Sequence, residues 1–435
     1  MTAYWCERAW LSNGVADGVL VTVDVDGLIA NLSTVDEIPP DAERLTGLVF
    51  PGFANTHSHA FHRALRGRTH GDGGTFWTWR ERMYTLAGKL TPETYLELAR
   101  AAYAEMALAG ITCVGEFHYL HHAPGGVRYS DPNAMGTALI QAAGDAGIRL
   151  TLLDTCYLAG GIGEPVSPEQ RQFSDGTVDR WASRVRELND DSSTRVGAAI
   201  HSVRAVPRDS LSDVAEANSG PLHAHLSEQP AENDACRAAY GRTPTEVLAD
   251  AGVLGPRMTA IHATHLTAKD IALLGDSRTG ACFCPTTEGD LADGIGPARE
   301  LMDAGSPLSL GSDQHAVVDP FVEARSLEYG ERLRTGRRGR IAPTELVTAL
   351  TVTGHASLGW PTAGRIAAGA PADFVAVRMD SPRTAGCLPE QVILAAGTSD
   401  VDTVIVGGRV IVRNGEHILG DVGRMLNKAI VGLWA

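Results

Sequence analysis

The sequence predicts an α/β fold: a (β/α)8 barrel of the TIM type with a small discontinuous β-sandwich domain built from both chain ends. Three observations lead to this prediction. The chain has 435 residues, enough for one large barrel and a small partner domain. Its middle alternates short apolar runs with helical patterns. Its two ends are rich in strand and turn patterns instead.

Both ends of the chain have the pattern of strands joined by tight turns. Residues 19–24 alternate apolar and polar side chains, and the turn signal Asp26-Gly27 precedes a second strand at 28–30. Near the other end, 373–378 is a strand candidate, and Gly407-Gly408 joins two further strands. We therefore expect residues 1–49 and 364–435 to form the β-sandwich domain and residues 50–363 to form the barrel.

Eight strand candidates alternate with helices between these ends. Each is a short apolar run, as expected for a strand buried in a parallel sheet. They lie at 48–55, 112–117, 149–155, 195–200, 221–226, 258–262, 280–284 and 307–310. One helix begins after Thr91 with Pro92 and ends at Gly110, and another runs from Thr267 to Gly275. This alternation favours a closed parallel barrel.

The turn after the first strand argues against the alternative, an open doubly wound sheet. Such a sheet favours a glycine-rich phosphate loop at this place, whereas here the chain runs Asn55-Thr56-His57-Ser58-His59. The segment at 63–89 is long for a loop. We expect it to cover or shape a site at the catalytic end of the barrel.

Composition excludes several classes of function. The net charge is −15, with 52 acidic and 37 basic residues, so DNA and RNA are not expected partners. No apolar run approaches the ~18 residues that span a bilayer, and the first residues have no secretory-signal pattern. We therefore expect a cytoplasmic protein without a membrane partner. The seven cysteines are scattered, and Cys282 and Cys284 are interpreted as packing residues.

Two histidine pairs with one intervening residue stand at strand ends. In His57-Ser58-His59 the two imidazoles point to the same side of the strand, about 6.6 Å apart, close enough to meet at one ion. The signal is weak alone, because roughly one such pair in two chains of this composition arises by chance. The second pair, His223 and His225, closes the fifth strand candidate.

The positions of these residues make a metal site the better interpretation. His225 ends the fifth strand and Asp313 follows the eighth, and the strand ends of a barrel open into one mouth. Three histidines and a carboxylate there predict a catalytic zinc with an open position for water. The predicted metal ligands are therefore His57, His59, His225 and Asp313.

Two more residues complete a hydrolytic set. Glu228 lies three residues after His225, and His262 ends the sixth strand. Water activated by zinc still needs one group to take its proton and another to protonate a leaving nitrogen. We expect Glu228, His262 and Asp313 to divide this work, and we interpret His265 as structural.

These residues resemble the amidohydrolase superfamily, in its mononuclear deaminase branch. The matching pieces, which cover nearly the whole chain, are Pro51-Gly52-Phe53 before His57 and His59, His225-Leu226-Ser227-Glu228, His262, Gly311-Ser312-Asp313, and Gly364-Arg365-Ile366 with Gly369 and Ala372-Asp373. Binuclear relatives bridge two metals with a carboxylated lysine on a middle strand. Here the fourth strand ends in His201, and none of the three lysines ends a strand. The resemblance therefore implies one Zn²⁺ per chain, with Fe²⁺ as an option, and a homodimer.

Further motifs resemble members of this branch that hydrolyse a histidine-breakdown intermediate, a small amidine with two carboxylates. They lie at 56–63, 75–80, 115–122, 201–204 and 284–290. The resemblance assigns Tyr119, His201 and Arg204 to one substrate carboxylate. Arg80 and Arg82 are candidates for the other. His62 stands where these members have glutamine, although its imidazole could still donate to the substrate.

Two rival functions remain open at this stage. A deaminase of a purine or pterin ring would share the metal site, but it would favour aromatic stacking and amide groups over arginines. A metal-free scaffold is the other rival, although such relatives usually lack ligands that are all present here. We therefore expect a hydrolytic deiminase of a small dicarboxylate amidine.

Overall fold

The computed structural model describes residues 2–70 and 76–435. Their sixteen strands form two sheets of eight. The strands, in chain order, are β1 (Thr2–Leu11), β2 (Gly14–Val23), β3 (Ile29–Thr34), β4 (Glu43–Pro51), β5 (Phe53–Ser58), β6 (Ile111–His118), β7 (Arg149–Cys156), β8 (Thr194–Ile200), β9 (Leu222–Leu226), β10 (Met258–His262), β11 (Gly280–Phe283), β12 (Leu308–Leu310), β13 (Phe374–Val377), β14 (Val401–Val406), β15 (Arg409–Arg413) and β16 (Glu416–His417).

The second of these sheets is the predicted barrel. Strands β5 to β12 follow one another in sequence order, and every pair between neighbours is parallel. The segment after β12 closes the ring on β5, because the backbone amides of Ser312 and Asp313 donate to the carbonyl of His57, at 3.1 and 2.9 Å. The amide of His59 donates back to the carbonyl of Asp313, at 3.1 Å. The α/β barrel prediction is confirmed.

Helices connect the barrel strands and cover the outside of the barrel. They are α1 (Phe76–Ala87), α2 (Pro92–Leu108), α3 (Ala134–Ala146), α4 (Val178–Val185), α5 (Leu211–Glu216), α6 (Pro230–Tyr240), α7 (Pro244–Asp250), α8 (Ala268–Asp276), α9 (Pro285–Asp290), α10 (Ala298–Ala304), α11 (Pro320–Thr335), α12 (Pro343–Thr348), α13 (Gly354–Ser357) and α14 (Val422–Trp434). The Thr91 side chain caps α2, with Pro92 in the first turn. Helix α8 ends one residue beyond the predicted Gly275.

The other sheet joins both ends of the chain, as predicted. Its order is β16-β15-β14-β13-β4-β1-β2-β3, antiparallel except for the parallel pair β1 and β4. The sheet folds over on itself, because Ile29 at the start of β3 exchanges backbone hydrogen bonds with Gly369 and Ala370 ahead of β13. Residues such as Tyr4 and Phe374 pack in a small core of its own.

Two local predictions need correction. The apolar run at 48–55 is two strands rather than one: β4 belongs to the small sheet, β5 to the barrel, and Gly52 separates them. The segment at 63–89 contains helix α1, so it is not only a loop; Thr75, which opens one of the predicted motifs, lies outside the described residues. Among the described helices, none is both long enough and apolar enough to cross a membrane.

Candidate active site

Three barrel strands bring the predicted metal ligands together. His57 lies on β5 and His59 directly after it, His225 lies on β9, and Asp313 follows three residues after the end of β12. Nε2 of His57 is 3.2 Å from Nε2 of His225, and Oδ1 of Asp313 is 3.3 Å from Nε2 of both His57 and His59. All four side chains are buried. Ligand atoms from distant parts of the chain therefore converge on one point.

The hydrogen bonds of Nδ1 in His59 and His225 determine whether Nε2 of each ring is free to bind a metal ion. Nδ1 of His59 lies 2.9 Å from the carbonyl of Phe117, and Nδ1 of His225 lies 2.9 Å from the carbonyl of His201. A carbonyl only accepts, so each Nδ1 carries the hydrogen and each Nε2 presents a lone pair. Burial lowers the pKa of both imidazoles. Neutral lone pairs that face one another with a carboxylate fit a divalent metal ion.

Asp313 reaches this cluster because two barrel strands approach unusually closely. A Cβ atom on Gly311 would lie 2.8 Å from the backbone N and O of His57, so only glycine fits there. The Asn55 side chain adds a clasp: its Oδ1 accepts from the Ser312 amide at 2.8 Å, and its Nδ2 donates to Ser312 Oγ at 2.7 Å. The motif Gly311-Ser312-Asp313 therefore closes the barrel and places a carboxylate.

Glu228 and His262 lie beside the cluster. Nε2 of His262 is 3.5 Å from Oδ2 of Asp313 and 3.7 Å from Oε1 of Glu228, while its Nδ1 is 3.3 Å from Oε1 of Glu288. Burial alone would lower the pKa of His262, but these carboxylates raise it well above its usual value. Burial raises the pKa of Glu228. The site thus holds a carboxyl group and an imidazole side by side, and the proton affinity of each is raised.

Backbone strain accompanies these residues. Ser227, His262 and Asp313 have φ angles of 51°, 68° and 42°, in the left-handed region that non-glycine residues rarely adopt. Such strain persists only where the surroundings hold it in place, and it concentrates at functional sites. Each of the three residues carries or adjoins a side chain of the predicted hydrolytic set.

The cluster forms the floor of a cavity of about 660 Å³. Tyr119, His201, Arg204 and His62 line it, as do Glu228 and His262. Nε2 of His62 lies 2.9 Å from the Tyr119 hydroxyl. Burial raises the pKa of Tyr119 and lowers the pKa of His201, so the cavity wall beside the cluster offers a neutral hydroxyl, a neutral imidazole and a guanidinium.

The two arginines predicted for the second carboxylate differ in position. Arg80 lines the cavity, with its guanidinium 5.2 Å from the centre of the Tyr84 ring. Arg82 is exposed, lies outside the cavity lining and donates to the carbonyl of Arg68 at 3.1 Å. Both lie in α1, where positions two apart are about 200° apart around the axis. The structure brings only Arg80 to the site.

Several lining residues were not among the predicted site residues, although one of them, Trp79, lies in the motif at 75–80. They are mostly aromatic or apolar: Trp79, Met83, Tyr84, Tyr157, Phe173 and Leu291. Tyr157 directly follows β7, so its place at a strand end was a usable signal. Phe173 comes from a short 3-10 helix far from any strand end, and no pattern pointed to it.

The remaining histidines and cysteines of interest have structural surroundings. Nε2 of His223 is bonded to the carbonyl of Ser357, at 3.0 Å, and Nε2 of His265 to the carbonyl of Asp293, at 2.8 Å. Cys282 and Cys284 pack with Ile261 in a small apolar cluster. The sulfur of Cys284 lies within 4.8 Å of His262 and Asp313, but burial raises the pKa of its thiol, which disfavours metal binding.

Comparison with known proteins agrees with this geometry. The model of the Amidohydrolase family matches residues 48–411. A formimidoylglutamate deiminase of Pseudomonas aeruginosa is 37% identical, over 96% of both chains. An 8-oxoguanine deaminase of the same species is 31% identical, over 92% of this chain and 93% of that protein. The crystal structure of an amidohydrolase from Brucella melitensis has a TM-score of 0.93 at 32% identity and covers both chains completely. The chain therefore belongs to the amidohydrolase family.

Proposed function

We propose that this protein hydrolyses N-formimidoyl-L-glutamate to N-formyl-L-glutamate and ammonia, a step in histidine degradation, with one zinc ion per chain. The observation that carries the proposal is the pairing, in one cavity, of a metal-binding cluster with a wall of Tyr119, His201 and Arg204. The similarity to the Pseudomonas formimidoylglutamate deiminase over 96% of the chain supports the same substrate.

His57, His59, His225 and Asp313 would hold the ion. Three imidazoles and one carboxylate are a typical donor set for zinc, and Fe²⁺ accepts the same ligands. When bound, the ion polarises water so that it can attack at neutral pH. The carbonyls of Phe117 and His201 keep two imidazoles in the tautomer that this role requires.

The protein residues move the protons. Water attacks the amidine carbon, and Asp313 and Glu228 lie where they can take its proton. Because burial raises the pKa of Glu228, its carboxyl group can hold that proton and pass it to the leaving nitrogen. The first proton converts the imine nitrogen to an amine. Asp313 takes the second proton from the hydroxyl group that the water has added, this proton also passes to the nitrogen as the carbon–nitrogen bond breaks, and ammonia leaves while a formamide remains. His262, between Glu228 and Asp313, orients both carboxylates.

The substrate carboxylates supply orientation. The Arg204 guanidinium pairs with one carboxylate, to which Tyr119 and His201 add hydrogen bonds. Arg80, on the neighbouring wall of the cavity, is the better placed partner for the second carboxylate. His62 holds the Tyr119 hydroxyl through their 2.9 Å contact.

A ring deaminase is the second candidate function. The aromatic residues Trp79, Tyr84, Tyr157 and Phe173 line the same cavity and could stack on a purine or pterin. The 31% identity to an 8-oxoguanine deaminase supports the same reaction type. Arg80 and Arg204 on the cavity wall favour a substrate with two carboxylates over a purine or pterin ring.

One assay tests the proposal against its rivals. The purified protein is incubated with formimidoylglutamate, guanine, 8-oxoguanine or a pterin, and ammonia and N-formylglutamate are measured before and after chelation. We expect release from formimidoylglutamate alone, lost on chelation and restored by zinc. Release from a ring substrate instead would favour the second candidate. Protein without metal and without turnover would favour a scaffold.

A further inference from the structure

Glu232 is a buried carboxylate that the proposed reaction does not use. It lies in the first turn of α6 and is 2% exposed. Its Oε2 atom is 3.8 Å from Nε of Arg204. Both residues also line a wider outer cavity next to the substrate cavity. Glu232 therefore stands behind the arginine that we assign to a substrate carboxylate.

The pairing between the two side chains is incomplete. Within the described part of the chain, neither carboxylate oxygen of Glu232 has a hydrogen-bond partner, and Nε of Arg204 has none either. A buried charge without hydrogen bonds lowers stability, so packing alone does not account for a glutamate here. The Arg204 side chain is 20% exposed, but its Nε atom, which faces Glu232, is buried.

Glu232 also faces the turn that carries the proton-transfer residue. The backbone amides of Ser227 and Glu228 point towards its carboxylate and oppose the rise in its pKa that burial causes. Ser227 has the strained φ angle of 51°. One carboxylate is therefore next to both the substrate-binding arginine and the turn that presents Glu228.

We propose that Glu232 is a positioning residue that holds the Nε edge of Arg204, so that the Nη edge meets one carboxylate of the substrate. This inference rests on the proposed function, because it assumes that Arg204 binds that carboxylate. A guanidinium that is already held along one edge loses less conformational entropy when it binds a carboxylate. The ligand that carries this carboxylate therefore binds more tightly.

The charge state of Glu232 should make product binding depend on pH. Burial raises its pKa to about 7, although Arg204 opposes the rise. The other titratable and charged groups around it are Glu228 after β9, Arg80 from α1, Glu164 from the segment after β7, and Cys236 in the next turn of α6. The carboxylates of N-formylglutamate titrate near pH 4. We therefore expect weaker binding of this product as the pH falls from 8 to 6, because Glu232 takes up a proton and releases Arg204.

The test measures binding and turnover in Glu232→Gln. Binding of N-formyl-L-glutamate to the zinc-loaded protein is measured by calorimetry between pH 6 and 8, and kcat and KM are measured with formimidoylglutamate. We expect Kd at pH 8 and KM to rise about tenfold, kcat to stay within threefold, and the pH dependence of Kd to become weaker than in the wild type. Glu164 is an exposed carboxylate on the same outer cavity, and Glu164→Gln should leave Kd, its pH dependence, KM and kcat unchanged.

Two further variants guard the conclusion. Glu232→Met removes the charge with similar volume and should repeat the result if the glutamine variant folds poorly. In an Arg204→Gln background, Glu232→Gln should add nothing to Kd; an additive loss would mean that the two residues act independently and would overturn the proposal. Unchanged Kd in Glu232→Gln beside tight wild-type binding would overturn it as well. Wild-type protein that neither binds N-formylglutamate nor releases ammonia would instead defeat the proposed function and, with it, this inference.

Discussion

His225 enters the cluster with one nitrogen already bonded. Its Nδ1 faces the His201 carbonyl, so Nε2 has a lone pair only 3.2 Å from Nε2 of His57. A hydrogen on Nε2 of His57 could bridge these two nitrogens, but Nε2 of His59 also presents a lone pair, 3.3 Å from the acceptor Oδ1 of Asp313. One metal ion satisfies all of these atoms at once.

Glu228→Gln tests the proton-transfer role at the residue scale. The amide keeps the size of the side chain but cannot take and return a proton. We expect kcat to fall roughly a hundred- to ten-thousand-fold, the usual contribution of a general acid–base. Zinc content and the Kd of N-formylglutamate should stay near wild type. A variant that retains more than a tenth of wild-type kcat would contradict the assignment.

The two arginines of α1 form a matched pair for a second test. Arg80 lines the cavity, whereas Arg82 is exposed outside it. We expect Arg80→Gln to raise KM for formimidoylglutamate about tenfold or more, because a charge-assisted hydrogen bond to the substrate is lost. Arg82→Gln should change KM by less than twofold. Equal effects in steady-state kinetics would place the second carboxylate elsewhere.

At the residue scale, strand ends made the site predictable and helices did not. His57, His59, His225, His262 and Asp313 could be placed from sequence because every barrel strand ends at the same mouth. The choice between the α1 arginines depended on the helix axis, which a segment interpreted as a loop does not provide. Residues such as Phe173 reach the cavity only through tertiary packing.

At the scale of elements, the approach of β12 to β5 determines the geometry of the proposed metal site. The carbonyl of His57 accepts from two amides just beyond β12, and Gly311 leaves room for this contact. The sequence signal was present in Gly311-Ser312-Asp313. The steric reason for the glycine could not be predicted from the sequence, because the atoms that Gly311 approaches are backbone atoms of a strand more than 250 positions away in the chain.

Gly311→Ala tests that contact. The new Cβ would lie 2.8 Å from backbone atoms of His57, so the strands must separate, at a cost of about 1–3 kcal/mol for overpacking. We expect a lower melting temperature and at least tenfold weaker zinc binding in a chelator competition. Gly289→Ala is the matched control, since nothing lies within 4 Å of its added Cβ. Full zinc affinity in Gly311→Ala would show that Asp313 does not depend on this approach.

The boundary between β4 and β5 could not be predicted from the pattern of apolar residues. The run at 48–55 is apolar throughout because β4 and β5 are both buried from residue 47 onwards. Periodicity cannot divide two consecutive buried strands, and only Gly52 marks the change of sheet. Gly52 has no room for a side chain, because a Cβ would meet Thr112 at 2.2 Å.

At the scale of the whole molecule, the two sheets are tied together at two strands of the barrel, β5 and β7. Strand β4 continues into β5 after one residue, and β13 pairs with β4. Arg149 at the start of β7 donates to Asp373, which precedes β13, at 2.9 Å. The sequence indicated that the two ends meet, from their shared strand patterns. How the sheet closes through Ile29 and Ala370 depends on backbone hydrogen bonds that carry no side-chain pattern.

A buried ion network outside the site governs the expected acid sensitivity of the fold. Arg184 on α4 donates two hydrogen bonds to Asp154 on β7, at 2.6 and 2.8 Å, and others to Asp175. Burial alone would raise the pKa of Asp154, but Arg184 outweighs it and the pKa is lowered. A carboxylate whose folded pKa is depressed stabilises the fold above its unfolded pKa near 4. This stability is lost as the pH falls through the folded value.

Arg184→Gln should therefore destabilise the protein most at neutral pH. It leaves Asp154 buried with the Trp181 indole as a hydrogen-bond donor but without its guanidinium partner, and breaking one partner of a buried ion pair costs about 3–5 kcal/mol. Without Arg184 the pKa of Asp154 rises, so its carboxyl group becomes neutral at a higher pH, and the difference in free energy of unfolding from wild type should shrink between pH 7 and pH 4. Urea unfolding at several pH values measures this, with the exposed Arg180→Gln on the same helix as the control. A difference that stays constant with pH would mean that Arg184 acts through packing rather than through the charges of Asp154 and Asp175.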